Sequence, residues 1–148
     1  MKKSATAYKR GNAVFVHSNS QTTAGIWIAG PPYLKVAFEN PPDVIGNAVT
    51  EALNASKESV PHPKQDEWGR IFSPMLELAG TRSLGKFEQG ALCCGLETEG
   101  EQLVITPHQK GPSGKGFQPI LGEEITVNAI SPPHEIGNAL KEAFCHCR

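Results

Sequence analysis

Residues 41–52 read PPDVIGNAVTEA, and residues 132–143 read PPHEIGNALKEA. Eight of these twelve positions are identical, whereas unrelated segments share roughly one position in twelve. The match indicates either an internal duplication or one structural task that the chain performs twice. The 148-residue chain is therefore predicted to contain two similar halves, each closed by the same segment.

Both copies of the repeat are predicted to form amphipathic helices. Apolar residues fall at positions 45, 48, 49, 52 and 53, and the same spacing returns from position 136, as expected for a helix with one buried face. Each Pro-Pro pair supplies the φ angle of a first helical turn, and Asn40 or Ser131 stands before it as a candidate cap. Gly46 and Gly137 weaken a helix interior, so their recurrence predicts that another element, expected to be a sheet, approaches the helix backbone closely.

Strand patterns precede each predicted helix. They lie at residues 13–17, 25–29 and 34–38 in the first half, and at residues 91–97, 102–107 and 124–129 in the second. Residues 98–101 (TEGE) join two of them as a hairpin, and short turns predict antiparallel pairing. The predicted fold class is α+β, with each half an antiparallel β-meander closed by a Pro-capped helix and both packed as one compact domain.

The expected domain spans residues 1–148, with halves at about 9–56 and 83–147 and a connector at 57–82. The polar, proline-containing stretch 56–70 is interpreted as a loop, followed by short helices at 75–79 and 83–89. Trp68, Ile71 and Phe72 are expected to anchor this connector to the core.

Composition is that of a soluble globular protein. Hydrophobic residues make up 39% and charged residues 20%, with a net charge of -1, which excludes disorder and gives no general reason to expect nucleic-acid binding. Residues 61–148 carry eleven acidic and eight basic side chains. No apolar run is long enough to cross a membrane, and Met1-Lys2-Lys3 is not followed by the apolar core of a signal peptide. A cytoplasmic location is predicted.

The four cysteines form two groups, Cys93-Cys94 and Cys145 with Cys147. Together with a histidine such as His108 they contain ligand types for zinc. However, no CxxC motif is present, and neighbours in a strand point to opposite faces. A cytosolic setting also disfavours disulfides. We interpret the thiols as reduced and structural, with metal, redox and catalytic roles as alternatives, and we predict no cofactor.

Residues 108–117 (HQKGPSGKGF) are similar to a phosphate-binding loop in part only. Gln109 stands at the first glycine of that motif, Gly116 replaces its hydroxyl residue, and Pro119 follows where a helix should begin. The segment is interpreted as a solvated loop, with contact to a protein through Lys110 and Lys115 as the alternative. The histidines are dispersed, and no catalytic constellation is recognised, so the protein is predicted not to be an enzyme.

Several segments spread along the chain share a pattern with a known family. They are the Pro-Pro helix at 41–56, SLGKFEQGA at 83–91, LVITP at 103–107, Gly116-Phe117, Glu124-Ile125 and EIGNAL at 135–140. Together they resemble the immunity proteins of contact-dependent growth inhibition (CDI) systems, the CdiI family. The resemblance implies a cytoplasmic protein that forms a heterodimer with the toxic C-terminal domain of a CdiA-type effector. Many such toxins are nucleases with basic clefts.

The predicted toxin contacts come from surface chemistry alone. Carboxylates beside the hairpin and before the last strand suit a basic partner, although solvated hairpin tips carry such residues too. The predicted contact residues are Glu97, Glu99, Glu101, Lys110, Lys115, Glu123 and Glu124.

Two other functions remain as alternatives. A nucleic-acid-binding module would use basic residues of the first ten positions together with two lysines of the 108–117 segment, but two Trp and two Tyr offer few stacking platforms. Its basic residues would be Lys2, Lys3, Lys9, Arg10, Lys110 and Lys115. A thiol enzyme would use Cys94 or Cys147 with a histidine.

Overall fold

The computed structural model describes residues 2–148, so Met1, the start of the segment considered above as a signal, lies outside the described residues. Within this range the chain forms seven strands and four α-helices, and a short 3-10 turn at Trp68–Arg70 precedes the second helix. The elements are β1 (Ser4–Arg10), β2 (Ala13–Gln21), β3 (Trp27–Ala37), α1 (Pro42–Asn54), α2 (Ser73–Ala79), α3 (Leu84–Gln89), β4 (Leu92–Glu99), β5 (Gln102–Lys110), β6 (Phe117–Pro119), β7 (Ile125–Asn128) and α4 (Pro133–His146).

The strands form one antiparallel sheet. In residues 2–148 their order is β3-β2-β1-β4-β5-β6, and β7 pairs with the first part of β5. Strands β1 to β3 with α1 correspond to β4, β5 and β7 with α4, and the two units join through the antiparallel pair β1–β4. The α+β fold class is confirmed, and the two units share a continuous sheet. The exact boundaries of the halves stay a prediction.

The strands predicted for the first half of the sheet were wrong in two respects. The prediction did not include β1, whose Ser-Ala-Thr-Ala-Tyr pattern has few of the β-branched residues that are typical of strands. It also divided β3 into two strands. In β3 the chain runs past Pro31 and Pro32, which fall between the pairs His17–Tyr33 and Ser18–Gly30, so the irregularity lies inside a single strand.

The repeated helices cross each other on one face of the sheet. A Cβ atom at Gly46 would lie 1.9 Å from the carbonyl oxygen of Pro133, and one at Gly137 would lie 1.9 Å from that of Pro42. The glycines therefore permit contact between two helix backbones. The predicted close approach to the helix backbone is confirmed. The prediction that a sheet makes this approach was wrong, because each copy of the repeat packs against the other copy.

The helix starts also differ from the prediction. The capping positions are Pro41 and Pro132, whose side chains cannot accept a hydrogen bond. The N–H groups of Asn40 and Ser131, which were expected to cap, instead donate to Ala37 O and Asn128 O in the preceding turns. A proline at the first helical position pre-sets the backbone in both helices, as predicted.

Two apolar clusters pack against the two faces of the sheet. The first lies beneath α1 and α4, where Ala5 and Ala7 of β1 are fully buried. The second lies on the opposite face beneath α2 and α3 and contains Phe15, Met75 and Phe87, with Tyr8 and Phe72 packed against them. Phe72 therefore anchors the connector as predicted, and the Tyr33 hydroxyl donates to the Ile71 carbonyl at 2.6 Å. Trp68 does not serve as an anchor, since it is 40% exposed and its ring meets that of His62.

His17 packs against the second cluster, and its burial is expected to make the fold sensitive to acid. Its ring meets that of Phe72 edge-on at a centroid distance of 5.6 Å, and burial lowers its pKa from 6.5 to about 4. A depressed pKa means that the unfolded chain takes up this proton first, so stability is lost as pH falls from about 6.5 toward 4.

We expect His17→Gln to reduce this acid sensitivity. Between about pH 7 and pH 5, the wild type should lose about 2 kcal/mol of unfolding free energy more than the variant. Urea denaturation of both proteins at the two pH values checks this. Equal losses in the two proteins would show that another group controls the response.

Candidate functional site

Part of the second sheet face is left open by α2 and α3. Beside the aromatic cluster, strands β1, β2, β4, β5 and β6 form a cleft with a cavity of about 290 Å³. Its lining is mostly polar and comprises Ser4, Ala5, Thr6, Asn19, Gly95, Leu96, Glu97, Thr106, His108 and Pro119. We call this the open-face cleft.

The alternation of β1 builds the floor of the open-face cleft. Ala5 and Ala7 point toward the helices, so Ser4 and Thr6 point to the opposite face. The amide of Asn19 on β2 donates to Ser4 Oγ at 3.1 Å and to Thr6 Oγ1 at 2.9 Å. This cross-strand network fixes three polar side chains before any partner arrives.

His108 forms one wall of the cleft. A Cβ atom at residue 95 would lie 3.0 Å from His108 Cε1, so Gly95 leaves the space that the imidazole occupies. His108 Nδ1 lies 2.9 Å from the Thr106 carbonyl, which only accepts, so Nδ1 carries the proton in the neutral ring. Burial lowers the pKa of His108, against the opposing effects of the Thr106 carbonyl and Glu97. The neutral ring therefore retains Nε2 as a hydrogen-bond acceptor.

The β4–β5 hairpin gives the open-face cleft an acidic rim. Glu97 lies in the cleft lining and is ion-paired with Lys2 at 3.0 Å. Glu99 and Glu101 are exposed beside Gly100, whose φ of 59° supports the predicted turn. The structure thus brings together three of the predicted contact residues, which we call the acidic rim.

The other predicted carboxylates lie elsewhere. Strand β7 pairs Asn128 with Gln102 and Ile125 with Ile105, so Glu123 and Glu124 are at the opposite end of β7 from the hairpin turn. Glu123 also contacts the C-terminal segment, 3.6 Å from His146 Nδ1 and 3.7 Å from Arg148.

The two predicted lysines have different environments. Lys110 is part of β5, so the predicted loop begins later than expected, and its Nζ donates to the carbonyls of Glu88 and, at 3.1 Å, Ala91. This lysine ties the end of α3 to the sheet. Lys115 is exposed in the loop between β5 and β6.

The sequence reading missed Ser4, Thr6 and Asn19 as site residues. The available signal was the alternation of small polar residues with alanine in β1, which places polar groups on one face and small apolar groups on the other. Without β1 in the prediction, that alternation had no sheet to which it could belong.

The described part of the chain contains neither a candidate metal-binding cluster nor a helix that could span a membrane. Among residues 2–148, no three His, Cys, Asp or Glu side chains gather in a way that could hold a metal ion. The helices in this range are all too short or too polar to cross a bilayer. All four cysteines are free, with Cys93 and Cys94 buried on opposite sides of β4.

The comparisons with known proteins decide the family. A family model described as CDI immunity protein matches residues 3–147. The chain belongs to the CdiI family of CDI immunity proteins. The resemblance seen in the sequence is thereby confirmed. No curated protein matches the chain.

Two solved structures show that this CdiI member shares its fold with distant proteins. A protein of unknown function from Neisseria meningitidis is 16% identical, with a TM-score of 0.82, over 100% of this chain and 96% of that one. A chain of the CdiA-CT/CdiI toxin and immunity complex from Yersinia pseudotuberculosis is 15% identical, with a TM-score of 0.79, over 100% and 98% of the two chains. At these identities the similarity establishes the fold alone.

Proposed function

We propose that this chain is a cytoplasmic immunity protein that binds and neutralises the toxin domain of a CDI effector as a heterodimer. The observation that carries the proposal is the family match over residues 3–147. The solved complex from Yersinia pseudotuberculosis, which pairs a toxin with an immunity protein, supports it through the shared fold. The proposal assigns this chain no catalytic activity.

The proposed contact surface is the open-face cleft with the acidic rim. Ser4, Thr6 and Asn19 are already fixed by hydrogen bonds, so a partner would order few additional side chains on binding. The neutral imidazole of His108 adds an acceptor at the wall. A polar cavity flanked by charge suits a protruding polar side chain of the toxin, whereas the apolar half of the same face is covered by α2 and α3.

A nuclease is the proposed class of toxin. Nucleases bind phosphates with basic residues, and the exposed carboxylates of Glu99 and Glu101, together with Glu97, offer charges of the opposite sign. Such complementarity accelerates association and allows the immunity protein to exclude nucleic acid from the same surface. Lys115 and Glu124 remain predicted contacts outside this surface, while Lys110 and Glu123 have internal partners.

Co-expression with the neighbouring toxin tests the function directly. The toxin domain encoded next to this chain should stop growth when it is expressed alone, and growth should recover when both proteins are expressed. The purified pair should elute as a one-to-one complex and show loss of nuclease activity. A toxin that still kills in the presence of this chain, and that does not bind it, would refute the proposal.

Charge reversal of the acidic rim tests the proposed surface. We expect Glu97→Lys, Glu99→Lys and Glu101→Lys together to weaken toxin binding on the order of 10- to 100-fold, mainly through slower association, and to reduce its salt dependence. Stopped-flow association rates at low and physiological salt provide the measurement.

A second triple variant controls for net charge. Glu51, Glu135 and Glu142 are exposed on α1 and α4, on the other side of the sheet. Reversing these three residues changes the net charge equally but should leave association within about two-fold of the wild type. Equal effects of the two triples would mean that only net charge matters, and unchanged binding in both would place the contact surface elsewhere.

A further inference from the structure

Two thiols from distant parts of the chain meet beneath the end of α4. Cys94 Sγ and Cys147 Sγ are 3.6 Å apart, although their residues are separated by 53 positions. Cys94 is fully buried in β4, and Cys147 is half-buried just after α4. Because the sulfurs of a disulfide are about 2.05 Å apart, an approach of roughly 1.5 Å would join them.

The surroundings hold the two sulfurs together. The N–H of Cys147 donates to Phe144 O at 3.3 Å, and the N–H of Arg148 donates to His108 O at 3.2 Å. These bonds fasten the C-terminal segment to both α4 and β5. Cys147 Sγ also lies 3.2 Å from the carbonyl oxygen of Cys93, so it rests on the backbone of β4.

The contact makes the two thiols chemically different. The hydrogen bond from Cys94 stabilises the thiolate of Cys147 and lowers the pKa of Cys147. The same hydrogen bond, together with burial, raises the pKa of Cys94. Cys147 is also the only one of the two thiols that solvent reaches, so it is the nucleophile, and the fully buried Cys94 keeps its proton.

We propose that Cys147 and Cys94 form a site of reversible thiol oxidation, in which a hydroperoxide oxidises Cys147 and Cys94 then closes an intramolecular disulfide. In the first step the Cys147 sulfur attacks hydrogen peroxide, the O–O bond breaks, and water leaves as the sulfenic acid forms. In the second step the Cys94 sulfur attacks that sulfur, the S–O bond breaks, and the hydroxyl leaves with the Cys94 proton as water. Two thiols lose two electrons, and the peroxide is reduced to two waters.

The geometry selects this pair over the other cysteines. Cys93 is the neighbour of Cys94 in β4, so its side chain points to the other face of the sheet. Cys145 is exposed, and its Sγ lies 3.5 Å from the carbonyl of Lys141 in its own helix. A Cys94–Cys147 bridge would fasten the end of α4 to the central strands of the sheet.

Oxidation of the purified, reduced protein with hydrogen peroxide tests the proposal. After alkylation of the remaining thiols and proteolysis without reductant, mass spectrometry should find a peptide pair linked through Cys94 and Cys147. The linked protein should melt several degrees higher than the reduced protein, and dithiothreitol should reverse the change.

Three variants sharpen the test. Cys145→Ser should still form the bridge, Cys147→Ser should not, and Cys94→Ala should carry Cys147 to sulfinic acid without a bridge. Because Cys94 is fully buried, its replacement leaves a cavity. The decisive comparison is therefore the disulfide linkage map of the wild type against that of Cys147→Ser. Circular dichroism checks that Cys147→Ser is folded. Oxidation of Cys145 with Cys94 and Cys147 still reduced, or a bridge through Cys93 or between molecules, would overturn the proposal.

Discussion

Replacing Gly46 or Gly137 with alanine should destabilise the fold by about 3 kcal/mol or more. The added methyl group would have to occupy a position 1.9 Å from a carbonyl oxygen of the facing helix. Both obstructing atoms belong to the backbone, so no rotamer change relieves the overlap. The helices must move apart, and α1 and α4 then lose part of their burial against each other and against the sheet.

Urea denaturation of the single and double variants measures this effect. The two losses should be less than additive, since the first substitution already separates the helices that the second would separate. Gly85→Ala is the matched control, because among the described residues no atom outside its chain neighbours and the nearby backbone of α3 lies within 4 Å of a Cβ at this position. It should be neutral or stabilising by up to about 1 kcal/mol. A Gly46→Ala variant as stable as Gly85→Ala would show that the crossing tolerates separation.

Truncation of Phe87 should have an effect of similar size, about 3–5 kcal/mol. The side chain is fully buried, and its ring centroid lies 5.0 Å from that of Tyr8, 5.2 Å from that of Phe72 and 5.7 Å from that of Phe15. Phe87→Ala therefore leaves a cavity between α3 and the sheet. The same change removes the aromatic ring over which the Arg10 guanidinium lies, at 5.2 Å.

Leu84→Ala on the same helix provides the comparison. Leu84 is 47% exposed, so its truncation should cost less than about 1 kcal/mol. Thermal and urea denaturation, with near-ultraviolet circular dichroism for the aromatic cluster, distinguish the two variants. If the unfolding free energy lost in Phe87→Ala were as small as that expected for Leu84→Ala, α3 would contribute little to the stability of the sheet.

The repeat allowed much of the fold to be predicted. Proline at the helix starts, the apolar spacing and the turn at Gly100 are local signals, and each corresponds to the observed structure. The backbone that approaches Gly46 cannot be predicted from the local sequence, because it belongs to Pro133, about ninety residues further along the chain. Likewise, β1 is a strand because β2 and β4 pair with it on both sides, and its own residues favour that state only weakly.

The candidate site was predictable only where a single hairpin carries it. Glu97, Glu99 and Glu101 are close together because two adjacent strands and a tight turn place them so. The open-face cleft needs residues from five strands and could not be assembled without the sheet order. The sequence also cannot distinguish Lys110 from Lys115, since the carbonyl groups that engage Lys110 belong to Glu88, near the end of α3, and to Ala91, two residues after that helix.

The helix crossing couples the two copies of the repeat to each other. Each glycine fits against a proline of the other copy, so a substitution in one copy requires an accommodating change in the other. The polar side chains of the open-face cleft and the acidic rim lie across the sheet from this crossing and are not part of the apolar cluster beneath it. Under the proposed function, new partner specificities can therefore be selected by varying one side of the sheet while the other side keeps the molecule folded, which makes this scaffold suited to libraries of altered binders.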